Sequence, residues 1–98
     1  MKNGFDIEWT FNLNSIYKYL EANWSEKEIK FFTKRLDFYL QVFSNNQESF
    51  PFYKKEKNIR RCVLSIQTTI YYCNIPDENK VIILTLFDNR RNPNKLTI

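Results

Sequence analysis

The sequence predicts an α+β fold, and three features carry that expectation. A short stretch near the N-terminus alternates apolar and acidic residues, a capping box opens a long helix with an apolar stripe, and three strand-sized runs separated by turn residues fill the second half. The expected order is β-α-α-β-β-β, with the last three strands as an antiparallel meander. Ninety-eight residues, 43% hydrophobic and 17% aromatic, make one domain over positions 1–98, because this length supplies a single core.

Phe5-Asp6-Ile7-Glu8-Trp9 has the period of a strand with one buried face and, being short, is expected to pair with the later meander. Leu13, Ile16, Tyr17 and Leu20 recur at helical spacing and predict a first helix ending near Asn23, a residue that tolerates the left-handed conformation at a helix C-terminus. Ser25-Glu26-Lys27-Glu28 is a capping box, flanked by Trp24 and Ile29 as a hydrophobic staple. The helix it opens runs to about Ser44, and the polar run 45–49 ends it. At about 100° per residue, Ile29, Phe32, Leu36, Tyr39, Leu40 and Phe43 form one apolar stripe facing the sheet, while Phe31, Phe38 and Val42 fall nearly opposite. That second stripe needs cover from the first helix, a terminus or a partner.

Phe50-Pro51-Phe52-Tyr53 leads into Lys54-Lys55-Glu56-Lys57, which has no periodicity and reads as a polar loop. Strands are expected at about 60–65, 68–74 and 80–88, with Pro76-Asp77-Glu78-Asn79 as the second hairpin turn. Charge divides unevenly, −1 over residues 1–49 and +5 over 50–98, so the second half suits an acidic partner, unless +4 overall is ordinary solubility charge. Cys62 and Cys73 fall nearly opposite each other if the first hairpin turns near Gln67, and they read as reduced, buried thiols. Without histidine or CxxC spacing no metal site is expected. Asp6 and Glu8 interrupt any apolar leader, and the longest apolar run, 81–87, is strand-sized, so a cytoplasmic protein with no membrane association is expected.

Several motifs occur in a fixed order from Trp24 to Leu96. They are Trp24-Ser25 with Ile29, Phe50-Pro51, Arg60-Arg61-Cys62-Val63 entering a strand, Tyr71-Tyr72 in the next, and Phe87-Asp88-Asn89-Arg90 with Asn92-Pro93 after the last. In this order the chain resembles the RelE/ParE family of toxins from bacterial toxin–antitoxin modules, in its ParE-like branch. The segment between Trp9 and Ile16 is about one helical turn shorter than in that family. The resemblance implies a two-helix hairpin packed on a curved antiparallel sheet of about four strands, and a growth-inhibiting toxin held inactive by a cognate antitoxin. It implies one of two mechanisms: binding that poisons DNA gyrase, or ribosome-dependent cleavage of messenger RNA.

Cleaving RNA requires deprotonating a 2′-hydroxyl and stabilising a phosphorane. With no histidine, a nuclease would have to draw on Lys54, Lys55, Lys57, Arg60, Arg61, Tyr71, Arg90 and Arg91. A free lysine or tyrosine titrates near about 10, so either would need a shifted pKa to act. Tyr71 and Tyr72 also suit the core and rim of a sheet, and Arg90 and Arg91 also suit a fork onto Asp88. Arg60 and Arg61 should point to opposite faces. The absence of histidine and the ParE-like closing motif favour action by binding, with gyrase the leading target that the resemblance implies and no cofactor expected. Arg60, Arg61, Arg90, Arg91, Phe31, Phe38 and Val42 are the candidate contacts to target or antitoxin. The alternatives are messenger cleavage on the ribosome and a degenerate toxin retaining only antitoxin binding; a homodimer is a further possible assembly.

Overall fold

A computed structural model describes residues 5–45 and 50–98. β1 (Asp6–Trp9) is followed by α1 (Leu13–Asn23) and α2 (Glu26–Asn45), then β2 (Phe52–Lys54), β3 (Ile59–Val63), β4 (Thr68–Ile75) and β5 (Lys80–Asp88). Short 3-10 turns occupy Lys55–Lys57, Pro76–Glu78 and Pro93–Lys95. The α+β class is as expected. Beyond Asn45, the run expected to end the second helix lies outside the described residues.

The helices start where local chemistry places them. The Asn12 side chain accepts from the Asn14 amide at 2.9 Å to open α1, whose last turn closes as the Trp24 amide donates to the Leu20 carbonyl at 2.7 Å. Asn23 itself stays helical. The left-handed asparagines are instead Asn58 (φ 58°) and Asn79 (φ 55°), each closing a 3-10 turn between two strands. In the capping box, the Ser25 amide donates to Glu28 Oε1 at 2.9 Å and the Glu28 amide to Ser25 Oγ at 3.1 Å. The expected α2 stripe is the core stripe: Phe32, Leu36 and Phe43 are buried, and Ile29, Tyr39 and Leu40 pack beside them.

The strands form one five-stranded sheet in the order β1-β5-β4-β3-β2. Two features depart from the expected sheet of about four antiparallel strands. β2, read as loop, pairs with β3 through Phe52 opposite Arg60 and Lys54 opposite Ile59, with a register shift between them. β1 pairs with β5 in parallel, Ile7 opposite Val81 and Trp9 opposite Ile83, so the sheet is mixed. Two reversals from β3 to β5 make those strands run the same way, and β1 lies parallel to both.

The β3–β4 hairpin turns around Ile66 rather than Gln67, which sets Cys62 opposite Ile70 and Cys73 opposite Ile59. The thiols therefore lie on opposite faces of the sheet, and neither is in a disulfide. β5 carries a bulge. Tyr72 pairs with Ile83 but Tyr71 with Thr85, leaving Leu84 as the extra residue. Val81, Ile83 and Leu86 thus all join the helix-covered core, while Leu84 and Phe87 join a second cluster on the other face. Among the described residues no helix is long and apolar enough to cross a membrane.

Ser25→Ala removes the acceptor for the Glu28 amide and should cost about 1 kcal/mol of stability. Chemical denaturation should show a lower midpoint with an unchanged slope.

Candidate functional site

The expected site residues separate onto three surfaces. On the sheet face away from the helices, Arg61 lies opposite Tyr71 across β3 and β4, and Tyr53 meets Tyr71 edge-on with ring centroids 4.8 Å apart. Leu96 and Ile98 of the C-terminal segment pack over this cluster, and Lys54 Nζ donates to the Ile98 main-chain oxygen at 2.6 Å. Burial, with Tyr53 adding to it and Arg61 opposing, pushes the Tyr71 phenol above its ordinary value. Tyr71 is thus a hydrogen-bond donor rather than a base near neutral pH. Lys55 and Lys57 are exposed in the following 3-10 turn.

Arg60 faces the other way, as alternation requires. Its guanidinium sits 3.8 Å from the centre of the Phe52 ring and donates to the Phe50 carbonyl, so it fastens the edge strand β2. Tyr72 is core, stacked on Phe43 at 4.5 Å, with burial pushing its phenol up to about 12.

The closing motif, residues 87–93, works mainly as a clasp. Asp88 Oδ2 accepts from Tyr19 Oη and Trp24 Nε1, both at 3.3 Å, and Oδ1 accepts from the Arg90 amide at 2.9 Å and Arg90 Nε at 3.3 Å. Arg90 also lies 3.6 Å from Glu28 Oε2 and 5.0 Å from the Trp24 ring, while Gln67 donates to the same Glu28 oxygen. Asn89 receives a hydrogen bond from the Thr69 hydroxyl and donates to the Ile66 carbonyl. Arg91 stands apart from this network, its guanidinium 5.8 Å from the Tyr19 ring. Arg90 is therefore a structural residue, and Arg91 remains available at the surface.

The third surface is the outer side of α2. Phe31 and Phe38 are 54% and 57% exposed, and Ile66 at the tip of the β3–β4 turn is 94% exposed. Between them Arg35 holds the helix to the turn: its Nε donates to the Leu64 carbonyl at 2.8 Å, and its guanidinium lies 6.0 Å from the Phe31 ring and 5.4 Å from Tyr39. A cleft of about 520 Å³ opens there, lined by Phe31, Arg35 and the turn residues Ser65, Ile66 and Gln67. Lys27, Lys30 and Lys34 are exposed on the same helix. Val42 does not belong to this ridge. It is 7% exposed, near the end of α2 where the Phe5 amide reaches the Ser44 carbonyl.

Arg35 was not singled out from the sequence, whereas the expected arginine contact to Asp88 is made by Arg90. The signal for Arg35 was present, since it sits four residues after Phe31 and four before Tyr39, both neighbours on a helix. Nothing local marks the other two partners of Asp88, Trp24 and Tyr19, which lie 64 and 69 residues away.

Burial alone would raise the Asp88 carboxyl, but the Arg90 amide and guanidinium together with the Trp24 indole outweigh it and hold the pKa below the ordinary value. The stability this contributes is fully present above the unfolded value of about 3.9 and is lost as pH falls through the lower folded value. Asp88→Asn should cost about 2 kcal/mol at pH 7, on the scale of hydrogen bonds to a charged group. The gap between variant and parent should narrow in melts run below about pH 3.5.

No protein-family model, no curated protein and no solved structure matches the chain.

Proposed function

We propose that this chain is the toxin of a toxin–antitoxin module and that it acts by binding a target, with DNA gyrase the leading candidate. The ordered motifs from Trp24 to Pro93 suggest the module, and the exposure of Phe31 and Phe38 on a lysine-flanked helix supports action through a bound partner. Two phenylalanines one heptad apart, with Ile66 nearby, form an anchor row for an amphipathic segment. The flanking lysines and Arg35 favour an acidic one. An antitoxin segment docked there would cover both rings.

The arginines favour binding over chemistry. Arg60 and Arg90, two of the candidate phosphorane-stabilising groups, are engaged in holding β2 and the end of β5. One grouping favours the second reading, messenger cleavage on the ribosome: Lys54, Arg61 and Tyr71 share a sheet face. Leu96 and Ile98 would have to leave that face for RNA to reach Tyr71.

Expression of the chain by itself should arrest bacterial growth, and normal growth with abundant folded protein would leave only an antitoxin-binding remnant. Phe31→Ser combined with Phe38→Ser should weaken antitoxin binding by at least about 100-fold, the scale of losing two buried anchors, with little loss of stability because both rings are exposed. Supercoiling by purified gyrase should be inhibited while messenger in a parallel translation reaction stays intact. Cut messenger that disappears in Arg61→Ala, with supercoiling untouched, would reverse the two readings.

A further inference from the structure

We propose that the apolar pocket between α1, Trp24 and the adjoining ends of β4 and β5 binds a small aromatic carboxylic acid, with the ring inside and the carboxylate on Arg91. The pocket has a volume of about 190 Å³, and Leu20, Trp24, Phe32 and Leu86 supply much of its wall. An apolar cavity of about 150 Å³ is enough to hold a benzene ring, so the space suits one ring and little more.

Three polar residues border this space, and they differ in what they can offer. Asp88 offers nothing further: both carboxylate oxygens already accept two donors each, and Arg90 matches the charge. Thr68 is 3% exposed, and its hydroxyl has no hydrogen-bond partner among the described residues. That hydroxyl presents almost no accessible surface, so it has no bond to offer a ligand in the pocket. Arg91 is exposed and makes no ion pair with a described residue. It also lines an adjoining cleft of about 290 Å³, where Lys95 stands.

An apolar wall and an arginine at the rim together select an amphiphilic anion. The planar guanidinium forks onto a carboxylate, and the ring fills the apolar volume. Small-molecule sites have this composition, mostly apolar with a few convergent polar groups. The site is separate from the Phe31 and Phe38 ridge, so it stands or falls independently of the toxin reading.

The test is a titration of the full chain with 3-(4-hydroxyphenyl)propionate, followed through the indole N–H signals of the two tryptophans. Trp24 lines the pocket and Trp9 does not. The Trp24 signal should move saturably with a Kd of about 0.1–1 mM, as expected for a ligand of this size, and Trp9 should stay still. Arg91→Gln, a surface change, should weaken binding about tenfold, and the neutral analogue 3-(4-hydroxyphenyl)propan-1-ol should bind the parent about tenfold more weakly. No saturable movement of Trp24 up to about 10 mM, or equal affinity for the acid in Arg91→Gln and the parent, would overturn the proposal.

Discussion

The Asp88 carboxylate is the interaction on which the arrangement of this molecule depends. A buried charge is tolerated only when paired and hydrogen-bonded, and its donors come from α1, from the link to α2 and from the segment after β5. Arg90 passes the connection on to Glu28, which is at once the capping residue of α2 and the acceptor for Gln67 in the β3–β4 turn. Three parts of the chain distant in sequence, residues 19–28, the β3–β4 turn and the end of β5, therefore meet through one line of charge-assisted bonds. Arg91, outside this line, lies beside Tyr19 at the mouth of the pocket.

This changes what the closing motif means. Asp88, Asn89 and Arg90 look like a recognition segment, because charged and amide residues cluster before a proline. Each is instead committed to the fold, and Asn92 accepts from the Asn94 amide to start the last 3-10 turn. A motif kept for architecture carries information about fold and little about target. The candidate contact residues not tied into the fold are Phe31 and Phe38 on α2, Arg61 on the sheet face beside Leu96 and Ile98, and Arg91.

Much of the framework was legible in the sequence. The capping box, the stripe from Ile29 to Phe43 and the turn at Pro76 each depend on residues within a few positions of one another. What was not legible depends on distant partners. β2 has three residues, follows Pro51 and ends in lysine, so nothing local distinguishes it from loop. Alternation told which side of β1 is buried but not which way its neighbour runs. Val42 lies within about 20° of Phe31 on the helix, yet their exposures diverge because projection ignores what packs at each end of the helix. The facing directions of Arg60 and Arg61 were readable. That Arg60 would be spent on Phe50 and Phe52 was not.

The edges of the sheet have a consequence for how copies of this chain meet. The outer strands are β1 and β2, described as four and three residues long. β1 carries Asp6 and Glu8 at exposed positions, with Glu8 ion-paired to Lys80 at 3.2 Å, and β2 has an interrupted register. Short, charged and irregular borders are poor templates for strand addition. A neighbouring chain that tried to extend the sheet would find only a few backbone groups in line, beside side chains that resist dehydration. Association by strand addition is therefore steered away from cross-β stacking, even though Phe31 and Phe38 stand exposed on α2.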